Sequence, residues 1–207
     1  MHNALFFREY LAHFMHVGAV LPSSAALGRA AAVYVMGKDR PARILEAGAG
    51  TGSFTCEIVP HLHPGDQLDA VEINPLLIAY LRQRLATHGL LHRDGVDVRL
   101  INADLLHFPF AGEYDFVVFS LPLTIFPPQM VREVLEIMLD HLRPGGVFSY
   151  VRYALLGRLR HLVASDQERE ELRQRQSVID GYAQKYEIGR QLVLANVPPT
   201  WVYYWRK

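Results

Sequence analysis

Apolar segments of strand length alternate with segments of helical periodicity along most of the chain. Short apolar runs bounded by turn residues are typical of buried strands, whereas apolar residues three or four positions apart are typical of one helix face. The strands predicted on this basis are 44–47, 67–72, 96–101, 114–119, 147–153, 185–196 and 200–206. Their alternation with helices predicts an α/β fold, in which a seven-stranded, mostly parallel sheet has helices on both faces and ends in an antiparallel strand pair.

The predicted helices carry recognisable boundary residues. An Ala-rich helix is expected at 25–36, after a pair of serines that can cap its first turn. Asn74 is the expected cap of another helix, with Pro75 at the first position, where a missing N–H loses no helical hydrogen bond. Apolar residues at helical spacing after Pro128 predict a core helix, whereas the charged segment 158–180 predicts a solvated outer helix.

The first helical pattern, at 4–17, has an aromatic-rich apolar side opposite a polar side. Such a helix either folds over the domain as a lid or lies in the interface of a membrane. Its polar side has Arg8 as its one arginine, so attraction to anionic lipid depends on protonation of His13 and His16. Both interpretations stay open, and one helix could serve both roles. We expect residues 1–40 to form an N-terminal helical extension of a domain spanning 41–207.

A glycine-rich loop follows the first predicted strand. Residues 46–52 read Glu-Ala-Gly-Ala-Gly-Thr-Gly, and a helical segment comes next. A strand, a glycine-rich turn and a helix N-terminus together form a nucleotide-binding corner, since glycine adopts positive φ and lets a ligand approach bare backbone. The dinucleotide fingerprint has a further glycine where Ser53 stands here, so the pattern differs from that of NAD-binding proteins.

Acidic residues follow the next two predicted strands. Glu72 comes after Gly48 at roughly the 20-residue spacing at which a carboxylate meets ribose hydroxyls in nucleotide-binding sheets. Asp104 follows the third strand, where it either accepts the amino hydrogens of an adenine or caps a turn. These positions predict that loop and carboxylates meet at the carboxyl edge of the sheet.

Composition narrows the possible partners. The formal net charge is zero, with 21 basic and 21 acidic residues, so no whole-protein field attracts nucleic acid. Cys56 is the one cysteine, which excludes a disulfide framework or a thiolate metal site. His61 with His63 and His88 with His92 lie in polar, turn-rich stretches without a third ligand, and no metal is expected. No leader peptide or long apolar run is evident, and we expect a soluble cytoplasmic protein.

The glycine loop resembles the first motif, E-x-G-x-G-x-G, of class I S-adenosylmethionine methyltransferases. The resemblance implies a Rossmann-like fold and S-adenosyl-L-methionine as cofactor, with the loop passing under the methionine part and the ribose. The residues implied in cofactor binding are Glu46, Gly48, Gly50, Thr51, Gly52, Glu72, Ile73, Asn102, Asp104 and Ser120.

Four further features resemble a narrower group, the bacterial phospholipid N-methyltransferases. They are Leu-Pro-Ser-Ser at 21–24 before the Ala-rich helix, Val-Glu-Ile-Asn-Pro at 71–75 after the glycine loop, Ser-Leu-Pro-Leu at 120–123 with Phe-Pro-Pro at 126–128, and Asn-Val-Pro-Pro at 196–199 before an aromatic strand. The resemblance implies methylation of phosphatidylethanolamine in phosphatidylcholine biosynthesis. It also implies membrane contact through the N-terminal amphipathic helix, which would hold the protein peripherally on the inner face of the membrane.

Two residues depart from the family pattern. Ala49 stands where many members have proline, and Ser120 stands where a glycine is expected before Leu-Pro. The related rRNA adenine dimethyltransferases grip adenine with an asparagine and an aromatic ring after the fourth strand. Ser120 and Leu123 replace both groups, and the zero net charge also argues against an RNA partner.

Methyl transfer to an amine is an in-line displacement that profits from alignment and from a base or water path for the amine proton. Four side chains could lie near the methyl group and act as that base: Tyr10, His13, Ser120 and Tyr153. If the acceptor is a phospholipid, Arg152 is placed to meet its phosphate. Arg158 and Arg160 either share that role or begin the solvated helix.

Two other classes of function stay open. One is a soluble small-molecule methyltransferase whose first helix is only a lid. The other is a non-catalytic membrane-binding or regulatory module that retains the cofactor pocket. The partners expected are therefore a phospholipid or another small amine acceptor and a membrane surface, with no nucleic acid.

Overall fold

The computed structural model describes residues 23–121, 123–154 and 165–207. They build a seven-stranded sheet of order β3-β2-β1-β4-β5-β7-β6. The strands are β1 Arg43–Ala47, β2 Gln67–Glu72, β3 Asp97–Asn102, β4 Tyr114–Phe119, β5 Leu142–Tyr153, β6 Glu187–Val193 and β7 Thr200–Arg206. β1 to β5 are parallel, and β7 pairs antiparallel with both β5 and β6. The predicted Rossmann-like α/β fold with its antiparallel C-terminal pair is confirmed.

Helices cover both faces of the sheet. They are α1 Ala25–Ala31, α2 Val33–Met36, α3 Thr55–Ile58, α4 Pro75–Thr87, α5 Pro128–Asp140 and α6 Asp166–Tyr186. α1 and α2 bury Leu27 and Val35 in one core cluster with Ile44 and Val202 of the sheet. α5 and α6 pack on the opposite face, where Trp205 of β7 is fully buried. The division at residue 40 into extension and domain stays a prediction.

Local signals in the sequence set several of these boundaries. The Asn74 side chain accepts a hydrogen bond from the Leu76 amide at 2.9 Å and Pro75 opens α4, as predicted. Ser24 caps α1 by accepting from the Leu27 amide at 3.2 Å. The apolar stripe of α5 lies in the core, and its central members Val134 and Leu135 have no exposed surface. Caps of this kind each stabilise a helix end by about 1 kcal/mol.

Other boundaries differ from the prediction. The single helix expected at 25–36 is divided at Ala32, whose ψ of 7° is not helical. β3 lies one residue later than expected. β5 begins at Leu142 rather than at 147, because Tyr114 of β4 pairs with Leu142. The register then shifts across Gly145 and Gly146, and Phe116 pairs with Val147. α6 continues to Tyr186, which shortens β6 to Glu187–Val193.

The outer helix is only partly solvated, contrary to the prediction. Ile179 of α6 joins the core cluster of β7, and the Arg175 side chain is buried as well. The reason is that residues four apart on a helix share one face, and this face of α6 lies against α5 and the sheet.

Several predictions concern residues outside the described ranges. These are the amphipathic helix at 4–17 with Tyr10 and His13, and the cations Arg158 and Arg160. Within the described ranges, no helix is long and apolar enough to cross a membrane.

Candidate functional site

The glycine loop at 48–52 is fixed between the ends of β2 and β4. The amides of Gly48 and Ala49 both donate to the Val71 carbonyl, at 2.9 and 3.0 Å. On the outer side, Arg84 of α4 donates to the Thr51 carbonyl at 2.9 Å. The loop is therefore held in place by the neighbouring strand β2 and by α4, the helix that follows β2 in the chain.

Gly48 is the point of closest approach between this loop and the segment after β4. Its φ is +84°, and a Cβ built on it would lie 2.5 Å from Leu121 Cγ. Next to Leu121, the Ser120 hydroxyl contacts the carbonyls of Ala47, at 3.0 Å, and Gly48. The Ser120 amide also donates to the Ala47 carbonyl, at 3.1 Å. Ser120 thus clamps the start of the glycine loop, because its hydroxyl donates to loop carbonyls.

Glu72 meets the loop as its position in the chain predicts. One carboxylate oxygen accepts from the Gly50 amide and the other from the Asn74 amide, both at 2.9 Å. The carboxylate thereby joins the glycine loop to the start of α4. Each oxygen has a second lone pair, so both could still accept a hydroxyl hydrogen. Recognition of a ribose by Glu72 stays a prediction.

The side chains of Asn102 and Asp104 have structural partners at the ends of β3 and β2. The side-chain amide of Asn102 donates through Nδ2 to the backbone carbonyls of both Glu72 and Ile73, each at 2.9 Å. Asp104 accepts from the Leu106 amide and contacts His107 Nδ1, both at 3.0 Å. Asp104 therefore caps the 3-10 turn Leu105–His107, one of the two roles that the sequence left open. A further contact with an adenine stays a prediction.

Glu46 is a fully buried carboxyl group beneath the loop. Its Oε2 accepts from the Thr55 hydroxyl at 2.7 Å, whereas its Oε1 is buried without a hydrogen-bond partner among the described residues. Burial raises the pKa of Glu46 to about 8, and the negative charge of Glu72 adds to the rise against the opposing effect of Thr55. The group is thus largely protonated at neutral pH, and a cation or a hydrogen-bond donor beside Oε1 would favour its ionised form.

This shift predicts a pH-dependent contribution to stability. Because the pKa rises from 4.5 on folding, the folded protein holds a proton that the unfolded chain has released between about pH 4.5 and 8. The stability that the neutral Glu46 carboxyl group contributes is fully present below pH 4.5 and is lost as the pH rises through about 8. The side chain of the Glu46→Gln variant stays neutral at every pH. At pH 9 the free energy of unfolding of this variant should therefore exceed that of the wild type by about 2–5 kcal/mol.

Urea unfolding of both proteins at pH 5 and pH 9 measures this difference directly. Other titrating groups are common to the two proteins and cancel in the comparison. A stability difference that does not change with pH would contradict the assignment of the shift to Glu46.

Arg152 and Tyr153 end β5 at the same edge as the glycine loop but point to opposite faces, since successive strand residues alternate. Arg152 pairs with Trp201 on the face of α5 and α6, and Tyr153 pairs with Thr200 on the other face. Burial raises the pKa of the Tyr153 hydroxyl, which therefore stays protonated. The structure does not bring these two side chains together, and their roles in catalysis stay predictions.

Arg175 is a residue that the sequence analysis missed. From α6, its Nε donates to the Phe126 carbonyl and its Nη1 to the Thr124 carbonyl, both at 2.6 Å. It thereby fixes the turn that follows β4 and faces the loop edge of the sheet. The available signal was its spacing from Ile179, four residues later in an otherwise charged helix.

A metal centre finds no support in the histidine pairs. His63 Nδ1 lies 3.3 Å from the Lys38 ammonium group, whose charge opposes a metal ion there. Among the described residues, no three His, Cys, Asp or Glu side chains are grouped so that they could hold a metal.

The family model and the curated relatives that match this chain are all methyltransferases. A family model described as a methyltransferase domain matches residues 44–146. An ornithine lipid N-methyltransferase of Singulisphaera acidiphila is 28% identical over 147 residues, which are 71% of this chain and 76% of that protein. A ribosomal RNA small subunit methyltransferase A of Mycobacterium bovis is 32% identical over 107 residues, 50% of this chain but only 32% of that protein.

The fold is shared with solved structures. The N-methyltransferase NodS of Bradyrhizobium japonicum, crystallised with S-adenosyl-L-homocysteine, aligns with a TM-score of 0.56 and 18% identity. The alignment covers 86% of this chain and 82% of that structure. At this level of identity the similarity concerns the fold.

Proposed function

The chain belongs to the class I S-adenosylmethionine-dependent methyltransferases, and on that basis we propose that it methylates the amine of a membrane phospholipid. The acceptors proposed are phosphatidylethanolamine and its partly methylated forms, on the route to phosphatidylcholine. The observation that carries the proposal is the similarity over 71% of the chain to a lipid N-methyltransferase.

S-adenosylmethionine is the methyl donor, and the residues at the loop fit it. When bound, it supplies an electrophilic methyl group on a sulfonium. The backbone of the glycine loop and the Glu72 carboxylate would hold its ribose and methionine part. Glu46 Oε1, a buried oxygen without a partner among the described residues, suits a donor such as the α-ammonium group.

The acceptor amine must be neutral to attack, and an alkylammonium has a pKa of about 10. Among the predicted bases, Ser120 already donates to loop carbonyls and Tyr153 stays protonated. Both hydroxyls are therefore poor bases as placed. Of the two remaining candidates, Tyr10 and His13, we propose His13 as the base, because an imidazole titrates near neutral pH whereas a tyrosine hydroxyl has an ordinary pKa of about 10. Orientation by backbone carbonyls with proton loss to water is the alternative route.

An acceptor other than a nucleobase is supported by the segment after β4. A nucleobase methyltransferase of the related group needs an amide and an aromatic ring there. Here the Ser120 hydroxyl is directed to Ala47, and the Leu123 side chain is 1% exposed within the core. Neither residue presents a side-chain amide or an aromatic ring to a base, although an rRNA methyltransferase is among the relatives.

The proposal includes peripheral attachment to the cytoplasmic face of a membrane through residues 4–17. The apolar side of that segment is suited to the membrane interface, and a lipid acceptor requires the enzyme to work at a bilayer. In a soluble small-molecule methyltransferase the same segment would serve only as a lid.

The test is methyl transfer from labelled donor to phosphatidylethanolamine in vesicles, followed by lipid separation. Wild type should yield methylated lipid. Arg152→Ala should lower this activity roughly tenfold through loss of a phosphate contact, with nearly unchanged donor affinity. Arg152→Lys should recover part of it, since a point charge replaces a planar fork.

Arg206→Ala is the matched control, because Arg206 is an exposed arginine at the opposite end of the neighbouring strand. It should retain wild-type activity. If the enzyme methylates a water-soluble amine well and gives no methylated lipid, the phospholipid assignment is wrong and the methyltransferase class remains.

A further inference from the structure

The hairpin that joins β6 to β7, residues 194–199, lies at the same edge of the sheet as the glycine loop. Thr200 at the start of β7 pairs with Tyr153, the last residue of β5. The Ala154 amide also donates to the Pro199 carbonyl at 2.9 Å. Because β1, β4 and β5 are parallel, the carboxyl end of β5 and the loop after β1 share one edge. The hairpin therefore stands at the glycine-loop edge of the sheet, on a strand three positions from β1.

The hairpin tip, defined here as Leu194 and Val197, is apolar and exposed. These side chains are 72% and 69% exposed. Between them, the 4% exposed Asn196 donates at 2.9 Å to the Pro198 carbonyl and at 3.0 Å to the Thr200 hydroxyl oxygen. A buried polar framework thus fixes the backbone on which two apolar side chains face solvent.

The strand ends next to the tip combine an aromatic ring with cations. Trp201 pairs with Arg152 on one side and with Leu192 on the other. The Arg190 guanidinium lies over the Trp201 ring, 5.6 Å from its centroid. Tryptophan is favoured at the headgroup level of bilayers, and basic side chains are attracted to anionic lipids. The surroundings of the tip therefore suit a lipid surface rather than free solvent.

We propose that the hairpin tip contacts the phospholipid bilayer and sets the donor-binding edge of the sheet against it. The inference rests on the proposed function. A lipid amine can reach the donor only if the bilayer faces this edge, since the acyl chains stay in the membrane. Apolar side chains at the edge would then enter the interface.

The start of the described chain is fixed to the same hairpin. The Ser24 amide donates to Asn196 Oδ1 at 2.9 Å, so the chain that follows the predicted amphipathic helix is fixed to the hairpin. The chain that comes from the predicted amphipathic segment therefore enters the described fold at the hairpin that we propose to contact the bilayer.

The experiment compares wild type, the double variant Leu194→Ser with Val197→Ser, and Val33→Ser as control. Val33 is also an exposed valine, 43% exposed, but lies on α2 away from this edge. Flotation with equimolar phosphatidylethanolamine and phosphatidylglycerol vesicles measures binding. The double variant should bind between roughly tenfold and a hundredfold more weakly, as expected for the loss of two buried apolar side chains. The control should bind as wild type does.

A second measurement separates membrane contact from catalysis and folding. Methylation of a monomeric, short-chain phosphatidylethanolamine should be unchanged in the double variant, as should binding of S-adenosyl-L-homocysteine. Wild-type vesicle binding by the double variant, or no vesicle binding by the wild type, overturns the inference. Dispersal of an oligomer with vesicle binding retained assigns the tip to a second copy and likewise overturns it. Methylation of neither lipid by the wild type refutes the proposed function instead, and flotation still tests the hairpin.

Discussion

Gly48→Ala is expected to abolish measurable methyl-donor binding and to destabilise the protein by about 2–4 kcal/mol. A φ of +84° is unfavourable for alanine, and the new Cβ would lie 2.5 Å from Leu121 Cγ. Leu121 is 9% exposed and follows Ser120, so its displacement would disturb the clamp on the Ala47 carbonyl. Calorimetric titration with S-adenosyl-L-homocysteine and urea unfolding measure the two effects.

Gly50→Ala is the matched control for the steric part of this prediction. Its φ is +55° and the nearest atom to a built Cβ is the Gly48 carbonyl oxygen at 3.8 Å, so only the backbone conformation is unfavourable. It should lose about 1 kcal/mol of stability while still binding the donor poorly, because the loop lines the site. Equal stability of the two variants would contradict the clash. Adding Leu121→Ala to Gly48→Ala should restore part of the loop geometry.

Arg175→Met should lower the free energy of unfolding by about 2–4 kcal/mol, because the carbonyls of Thr124 and Phe126 lose a charged donor. Turnover should fall at least roughly tenfold, since the turn after β4 lies at the glycine-loop edge, where we propose that the acceptor binds, and positioning controls in-line transfer. Donor affinity should change little, as the glycine loop keeps its contacts with β2. Urea unfolding, donor titration and initial rates at saturating donor test the three parts.

The same helix supplies the control. Arg173 is two residues earlier, 67% exposed, and pairs with Glu170 at 2.8 Å on the surface. Arg173→Met should stay within about 0.5 kcal/mol of the wild type, as is usual for exposed ion pairs. Arg175→Lys should recover stability better than turnover, because one ammonium cannot reproduce the fork to both carbonyls. Loss of donor affinity equal to the loss of turnover would show general unfolding rather than a positioning role.

Most strands could be predicted because their limits coincide with local signals. β2 ends shortly before Asn74 and Pro75, β4 ends directly before Ser120, and the structure has both strands at the predicted bounds. β5 could not be bounded in this way, since its first residues include two glycines that normally mark a turn. They stay in the sheet because the Gly145 amide donates to the Lys207 carbonyl at 2.7 Å, a contact set by the last residue of the chain.

The contacts of the candidate site likewise fall into those that chain order predicts and those that depend on distant partners. The meeting of the glycine loop with Glu72 follows from chain order, since the carboxyl ends of parallel strands lie together. The direction of the Ser120 hydroxyl does not, because it depends on a carbonyl 73 residues earlier. Arg175 was hidden for a related reason: its partners at Thr124 and Phe126 are known only once α5 and α6 are packed. The opposite faces of Arg152 and Tyr153 were predictable from strand alternation and were overlooked.

The contacts of α1 determine when the N-terminal part of the protein can fold. Its Ser24 amide and Ala30 carbonyl are hydrogen-bonded to Asn196 and Tyr204, partners 172 and 174 residues later in the chain. During synthesis α1 therefore has no complete docking site until β7 has left the ribosome, and contacts of such sequence separation form slowly. α1 therefore belongs to the part of the fold that is completed last, although it precedes every strand of the sheet in the chain.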